Sequence, residues 1–457
     1  MEATPPWAQQ QSCADWLRRR LFGYIGHEVG CGKSRTLLMA VADRRLVLVV
    51  CPIAVGPAWA KQARLFAQGR RVVVAVSGTA KARAAAIREA VAAGGDVLVV
   101  VNYDACYRGD VAKSISATPW DAIVCDEAHR IKSPSGKASR FLAKLAKSLP
   151  ESLRVCMSGT PTPNNPCDWW AQFRFLDPAV LGGSFPAFRN RIAITHPRYP
   201  GWITDFRDDA LVALRERIDE HVHRVKADDV LTLPDAIHET IEVELCPQAA
   251  AFYRELEAEM IARLETGEVV TAANRMVVVN RLHLAAGGHA KADGSDTFVR
   301  IAGVPDKTIA FREWLEDFPI REPLVVFVRF IEDLREAAEA CRESGRSVSL
   351  LCGATKQLEE WQAGQSDVIV VQQQAGGAGV DLTRACYCVY LSVSHSLGDY
   401  EQSLGRLRRP GQSKCVRYYH FVSKGTVDEA IYRALESKAD VVEAVLDGLT
   451  RRVGNHG

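Results

Sequence analysis

Short unbroken apolar runs recur along the first half of the chain: "LVLVV" (46–50), "VVVAV" (72–76), "VLVVV" (97–101) and "AIVC" (122–125). Runs of this length, rich in β-branched residues and lacking polar alternation, predict strands buried on both faces, as in a parallel sheet. Alanine-rich helical segments such as "TAKARAAAIREAVAAG" (79–94) lie between some of them, in the alternation expected of an α/β lobe. The pattern returns with "LVVFV" (324–328), "VIVVQ" (368–372), "CYCVYL" (386–391) and "VRYYHFV" (416–422). From about 165 to 300 the spacing is mostly helical, as in "DDALVALRERIDEHVHRVKADD" and "QAAAFYRELEAEMIARLE". The pattern therefore predicts two α/β lobes with parallel sheets and helical insertions near their junction. A first lobe spans 1–245 with a helical protrusion at about 165–222. A helical linker occupies 246–300, and a second lobe 301–457.

Composition narrows the class. With 457 residues, 47% hydrophobic and 25% charged, the chain has ample core for two or three domains and is not a disordered polymer. No apolar run reaches the length of a membrane span, and the first residues lack the order of a signal peptide, so a cytoplasmic protein is expected. Thirteen cysteines show no paired framework; Cys386 and Cys388 have no second pair at metal spacing, and buried reduced thiols are expected. The formal net charge is only +2, but its distribution is uneven. Segment 130–147 carries six basic residues and no acid, and 401–424 carries six against one glutamate. Such clusters are either solvated faces or a surface for a polyanion.

Two short stretches carry chemistry. "GHEVGCGKS" (26–34), read as following a helical segment, opens a helix through "RTLLMAVA". Its glycines, Gly30 and Gly32 among them, let backbone N–H groups face phosphate oxygens at a helix N-terminus. Lys33 can reach the β- and γ-phosphates of ATP, and the Ser34 hydroxyl can ligate Mg²⁺. The strict phosphate-loop spacing fails because His27 stands five residues before Gly32. "VCDEAHR" (124–130) places two carboxylates at a strand end. A solvated turn would explain them, but downstream of GxGKS they suit a metal–nucleotide site. On that reading Asp126 would hold the metal, usually through water, and Glu127 would orient and deprotonate the attacking water.

These residues resemble the motifs of Swi/Snf-type ATPases of helicase superfamily two, in order and almost end to end. "QQSCADWL" is similar to the adenine-reading motif, with Gln10 at its glutamine, and "HEVGCGKS" to the first motif. "VLVVCPIAVGPAWAKQARLF" resembles the next, including Cys51, Pro52 and Trp59. "DEAHRIKSPSGKASR" resembles the second motif, "MSGTPTPNNPCDWWAQFRFLDP" the third, and "RVKADDVLTLP" the segment closing the first lobe. "QQQAGGAGVDLTRA" resembles the fifth, and "QSLGRLRRPGQ" the sixth, with Gln402, Arg406, Arg409 and Gln412 in register. Departures are His27 for an acid, Ser34 for threonine, Asp381 for asparagine and Gly405 for an acid; none removes a catalytic group.

The resemblance implies two RecA-like lobes and an ATPase stimulated by nucleic acid. Gln10, Gly30, Gly32, Lys33, Ser34, Asp126 and Gln402 would bind ATP and Mg²⁺, with Ser34 and Asp126 on the metal. Lys33 and Glu127 would serve catalysis, and Arg406 and Arg409 would reach across a cleft to the γ-phosphate. His129, Ser158, Thr160, Gly377 and Asp381 would couple hydrolysis to movement; packing or turn roles are the alternative. Pro52, Tyr103, Lys132, Thr160 and Thr383 would touch the DNA backbone, although a tyrosine ending a strand is often core. The implied partner is DNA, as duplex and without sequence preference. The alternatives are a strand-separating 3′-to-5′ helicase or a nucleotide-gated clamp with little turnover. A monomer is expected, and with little chain outside the motifs, a targeting protein is an expected partner. "HVH" (221–223) falls in a region read as helix and is given no metal role, and Trp169 and Trp170 are expected to pack a helix.

Overall fold

The computed structural model describes residues 5–159, 161–162, 165–196, 199–231, 233–265, 272–291, 297–375, 380–437, 441–442, 444–446 and 449. The chain divides into two compact units, Met1–Thr232 and Leu233–Gly457. Both are α/β with parallel sheets, the fold class expected of two RecA-like lobes. No described helix is long and apolar enough to cross a membrane.

The first unit carries strands β1 (Phe22–His27), β2 (Leu46–Cys51), β3 (Arg71–Ala75), β4 (Val97–Asn102), β5 (Ala122–Asp126) and β6 (Leu153–Met157). It also carries β7 (Ala193–His196), β8 (Tyr199–Phe206) and β9 (Val222–Val225). Seven form one sheet in the order β3-β4-β2-β5-β6-β1-β9. Its central members are almost wholly buried, β4 and β5 at every position, which is why β2, β4 and β5 read as continuous apolar runs. Because all pairs are parallel, the carboxyl ends of the strands share one edge. Ile25 of β1 and Asp126 of β5 both register with Met157 of β6. The residues that follow, His27, Glu127 and Ser158, are thereby gathered at the crevice side where α/β sheets hold ligands.

Three helices matter for the site: α1 (Ala8–Arg18), α2 (Lys33–Ala40) and α3 (Gly56–Phe66). The protrusion expected to be helical holds helices Asp168–Leu176, Phe185–Ile192 and Asp208–Asp219, and also the antiparallel hairpin β7–β8. Trp169 and Trp170 are buried in the first core, as expected of helix-packing residues. The "HVH" segment is strand rather than helix: β9 lies beside β1 with His223 opposite Ile25.

The second unit has strands β10 (Ala236–Val243), β11 (His289–Lys291), β12 (Phe298–Arg300), β13 (Leu324–Val328), β14 (Val348–Leu351), β15 (Val368–Gln372), β16 (Tyr387–Tyr390) and β17 (Val416–Ser423). The main sheet runs β10-β17-β16-β13-β15-β14, all parallel. This moves the boundary from the expected 245 to the 232/233 position, because β10 pairs over its whole length with β17. The expected linker at 246–300 is part of the second unit as well. Tyr253 and Met260 of helix Pro247–Glu265, and Val278, Val279 and Leu282 of helix Ala272–Ala286, lie in that unit's core.

Candidate nucleotide site and motor motifs

The glycine-rich loop follows strand β1, not a helix, and leads directly into α2. Strand, loop and helix N-terminus in that order form an anion-binding arrangement. Gly30 (φ 89°) and Gly32 (φ 76°) both have left-handed backbones, which side chains disfavour. At Gly32 the constraint is doubled, since a Cβ there would sit 2.1 Å from Gln10 Nε2. Gln10, buried in α1, accepts a hydrogen bond from the Trp7 N–H at 3.0 Å, and its Nε2 lies 3.5 Å from the Gly32 carbonyl. The adenine-motif glutamine and the phosphate loop therefore touch. Lys33 folds back over the loop, donating to the carbonyls of His27 (2.9 Å) and Glu28 (3.2 Å). Ser34 follows in the first turn of α2, half-buried.

Asp126 closes β5 and is buried. One carboxylate oxygen accepts from the indole N–H of Trp59 on α3 at 2.8 Å, and the other from the Glu127 N–H at 3.0 Å. Burial, then the adjacent Glu127 charge, raises its pKa to about 7, against the Trp59 hydrogen bond and the Lys33 ammonium. Donors on both oxygens suit the ionised form, but burial and Glu127 outweigh the Lys33 ammonium, so a further positive charge would favour the ionised carboxylate. That is the chemistry of a divalent-cation ligand, and Mg²⁺ fits it.

Glu127 is the one described non-glycine residue with a left-handed backbone (φ 51°), a conformation costing roughly 1–2 kcal/mol. It caps the short turn Ala128–Ile131. Its Oε2 lies 3.5 Å from both Ser158 Oγ and His129 Nδ1, which are themselves 3.2 Å apart. Two of the expected coupling residues thus surround the expected base. Thr160 and Gly377 lie outside the described residues.

The expected DNA contacts divide. Pro52 and Thr383 are half-buried, and Lys132 is partly exposed with its ammonium 3.8 Å from Asp168. Tyr103 does not fit that role: it is buried, and its hydroxyl donates to the Asp126 carbonyl at 2.7 Å. Its strand-end position serves the core and braces Asp126. Trp59, which the motif resemblance includes without a role, proves to be a direct partner of Asp126.

In the second unit, Gln402 lies in helix Leu397–Leu404, and Arg406 and Arg409 in the turn that follows it. This turn is bound to the fifth-motif loop. Leu382 N–H donates to the Arg406 carbonyl at 3.1 Å, Arg409 Nη1 lies 3.4 Å from the Val380 carbonyl, and Gln412 donates to the carbonyls of Ala385 (2.8 Å) and Thr383 (3.2 Å). Asp381 accepts from the Thr383 hydroxyl (2.7 Å) and N–H (3.0 Å), holding its own turn. Gly405 has φ −71°, so the backbone does not require glycine there.

The SNF2-related domain matches residues 10–286, and the helicase conserved C-terminal domain matches 310–411. The chain belongs to the SNF2 family of ATP-dependent helicases. Its relatives include protein p41 of Acyrthosiphon pisum secondary endosymbiont phage 1, 26% identical over 450 residues, 93% of this chain and 94% of that one. An uncharacterized ATP-dependent helicase of Mycoplasma pneumoniae is 22% identical over 456 residues, covering 96% of this chain but 42% of the helicase. The chain thus spans less than half the length of that cellular relative. A solved SWI2/SNF2 ATPase core of Sulfolobus solfataricus in complex with dsDNA is 21% identical, covers 98% of this chain and 94% of its own, and has a TM-score of 0.44.

Proposed function

We propose that this SNF2-family chain is an ATP-hydrolysing motor core that moves along duplex DNA without sequence preference and without separating the strands. The observation that carries the nucleotide part is the shared sheet edge of the first unit. There, a lysine-bearing glycine loop, a buried carboxylate in need of a cation and a second carboxylate held by serine and histidine come from three neighbouring strands. Gln10 would position the base, and the loop N–H groups, Lys33 and Ser34 the phosphates. Asp126 and Ser34 would hold Mg²⁺, which supplies charge neutralisation on the phosphate oxygens when bound. Glu127 takes the proton of the attacking water. Arg406 and Arg409 would supply positive charge to the transferring phosphoryl group, and Gln402 would add to the nucleotide contacts. A γ-phosphate contact that pulls on Glu127 is transmitted to His129 and Ser158, because all three share one cluster.

For DNA, the support is the family and the run of basic residues at 130–147, which includes Lys132. Phosphate contacts without a base-reading element give binding that is independent of sequence. The experiment is displacement of a third strand from triplex DNA, run beside unwinding of a forked duplex, with ATP. Triplex displacement with an intact fork supports the proposal. Fork unwinding would instead make the chain a strand-separating helicase, and neither activity would leave a clamp.

A further inference from the structure

The hydrolysis scheme leaves one buried cluster without a role. Cys13 of α1, His27 at the end of β1 and His223 of β9 each offer a ligand atom, and these atoms lie within 4.8 Å of one another. Cys13 and His27 are fully buried and His223 is half-buried. His27 Nε2 is 3.0 Å from His223 Nδ1, and the other ring nitrogen of His27, Nδ1, is buried with no hydrogen-bond partner. Trp16, one turn on from Cys13, meets the His223 ring edge-on at 5.8 Å between centroids, so α1 and β9 enclose the cluster from two sides.

We propose that Cys13, His27 and His223 form a zinc-binding site that fastens the adenine-motif helix to the phosphate-loop strand and to β9. One thiolate and two imidazoles are a borderline-soft donor set that suits Zn²⁺ and excludes Mg²⁺ as the preferred ion. Ligands bonded at about 2.0–2.3 Å on a tetrahedron stand roughly 3.3–3.8 Å apart, so the observed spacing needs only small side-chain rotations. Binding replaces the His27–His223 hydrogen bond and releases one proton, that of the Cys13 thiol, to solvent. Three protein ligands leave a fourth position, which water can take from the half-exposed His223 side.

The position gives the ion a mechanical consequence. The His27 carbonyl accepts from Lys33, and Gln10 lies one turn before Cys13 in α1. An ion here would hold the two nucleotide-binding segments together in the absence of nucleotide.

The test uses the full chain, purified without chelator, and measures metal content and Co²⁺ spectra rather than turnover. Close to one zinc per chain is expected. After chelation, Co²⁺ should give tetrahedral visible bands and a near-ultraviolet thiolate-to-cobalt band. Cys13→Ser should remove the thiolate band, and His223→Asn should weaken cobalt affinity at least about tenfold. In the unmodified chain, restoring Zn²⁺ to about a hundred times its Kd should raise Tm by on the order of 5–10 °C. This last reading keeps the test decisive if a variant fails to fold. A metal-free chain that shows no thiolate band with excess Co²⁺, or a band that persists in folded Cys13→Ser, overturns the proposal whatever the ATPase result.

Discussion

Replacing Trp59 with Phe tests how the first unit tunes Asp126, the carboxylate proposed to hold Mg²⁺. The substitution removes one hydrogen bond, from the buried indole N–H to Asp126 Oδ2 at 2.8 Å, and leaves an aromatic ring in place. A hydrogen bond to a charged acceptor is worth about 1.5–3 kcal/mol. Because it favours the ionised form over the neutral one, and 1.36 kcal/mol corresponds to one pH unit, its loss should raise the Asp126 titration by up to about one to two pH units. The sign follows from the carboxylate being needed ionised: activity disappears as pH falls through its pKa. With the pKa at about 7 in the intact protein, roughly three-quarters of Asp126 is ionised at pH 7.5. In the variant that fraction falls to between about a quarter and a few per cent across this range, so kcat/KM at pH 7.5 should drop about threefold or more and recover at higher pH. The assay is the pH profile of kcat/KM for ATP at saturating DNA, which reports the free enzyme. Titration of ATP itself is common to both proteins and cancels in the comparison. Packing lost with the smaller ring lowers stability at every pH, so it is separable by thermal melts. An acid limb at the same pH in both proteins would refute the assignment of Trp59 as the group that tunes Asp126.

Further outcomes follow from the same site. Glu127→Gln should bind ATP with little change yet lose about 10²–10⁴ in turnover, as expected for a general base, measured by nucleotide binding beside steady-state hydrolysis. Arg409→Ala should lose about 10³–10⁵ in kcat with nucleotide affinity less affected; an unchanged kcat would remove it from the reaction. Lys132→Ala should weaken DNA binding uniformly across sequences and reduce the slope of log affinity against log salt by about one, read from binding isotherms at several salt concentrations.

Much of the first sheet and most of the second could be read from the sequence because their central strands are buried on both faces. "VLVVV" and "LVVFV" have no competing helical reading at that length. The strands that lack an unbroken apolar run are short, polar or glycine-containing. β1 is "FGYIGH", whose glycines carry no strand signal, so the segment before the phosphate loop looked helical. β9 and β10 are edge strands, and their polar residues, such as His223 and Glu239, interrupt the apolar pattern. Missing β10 displaced the domain boundary. At the site, motif order pointed to the loop and the acid pair, each a short contiguous stretch that the sheet brings to one edge. The bracing by Trp59 and Tyr103 depends on strands and a helix far apart in sequence, and no spacing rule brings them to Asp126. The Cys13–His27–His223 cluster was hidden for the same reason: its members become neighbours only when α1, β1 and β9 assemble, and "HVH" alone says little.

The most direct measurement is ATP turnover by the purified chain with no nucleic acid, with duplex DNA, with single-stranded DNA and with RNA. Duplex DNA should accelerate hydrolysis well above the unstimulated rate, and Glu127→Gln should abolish the acceleration. Equal turnover under all four conditions would contradict a motor driven along DNA.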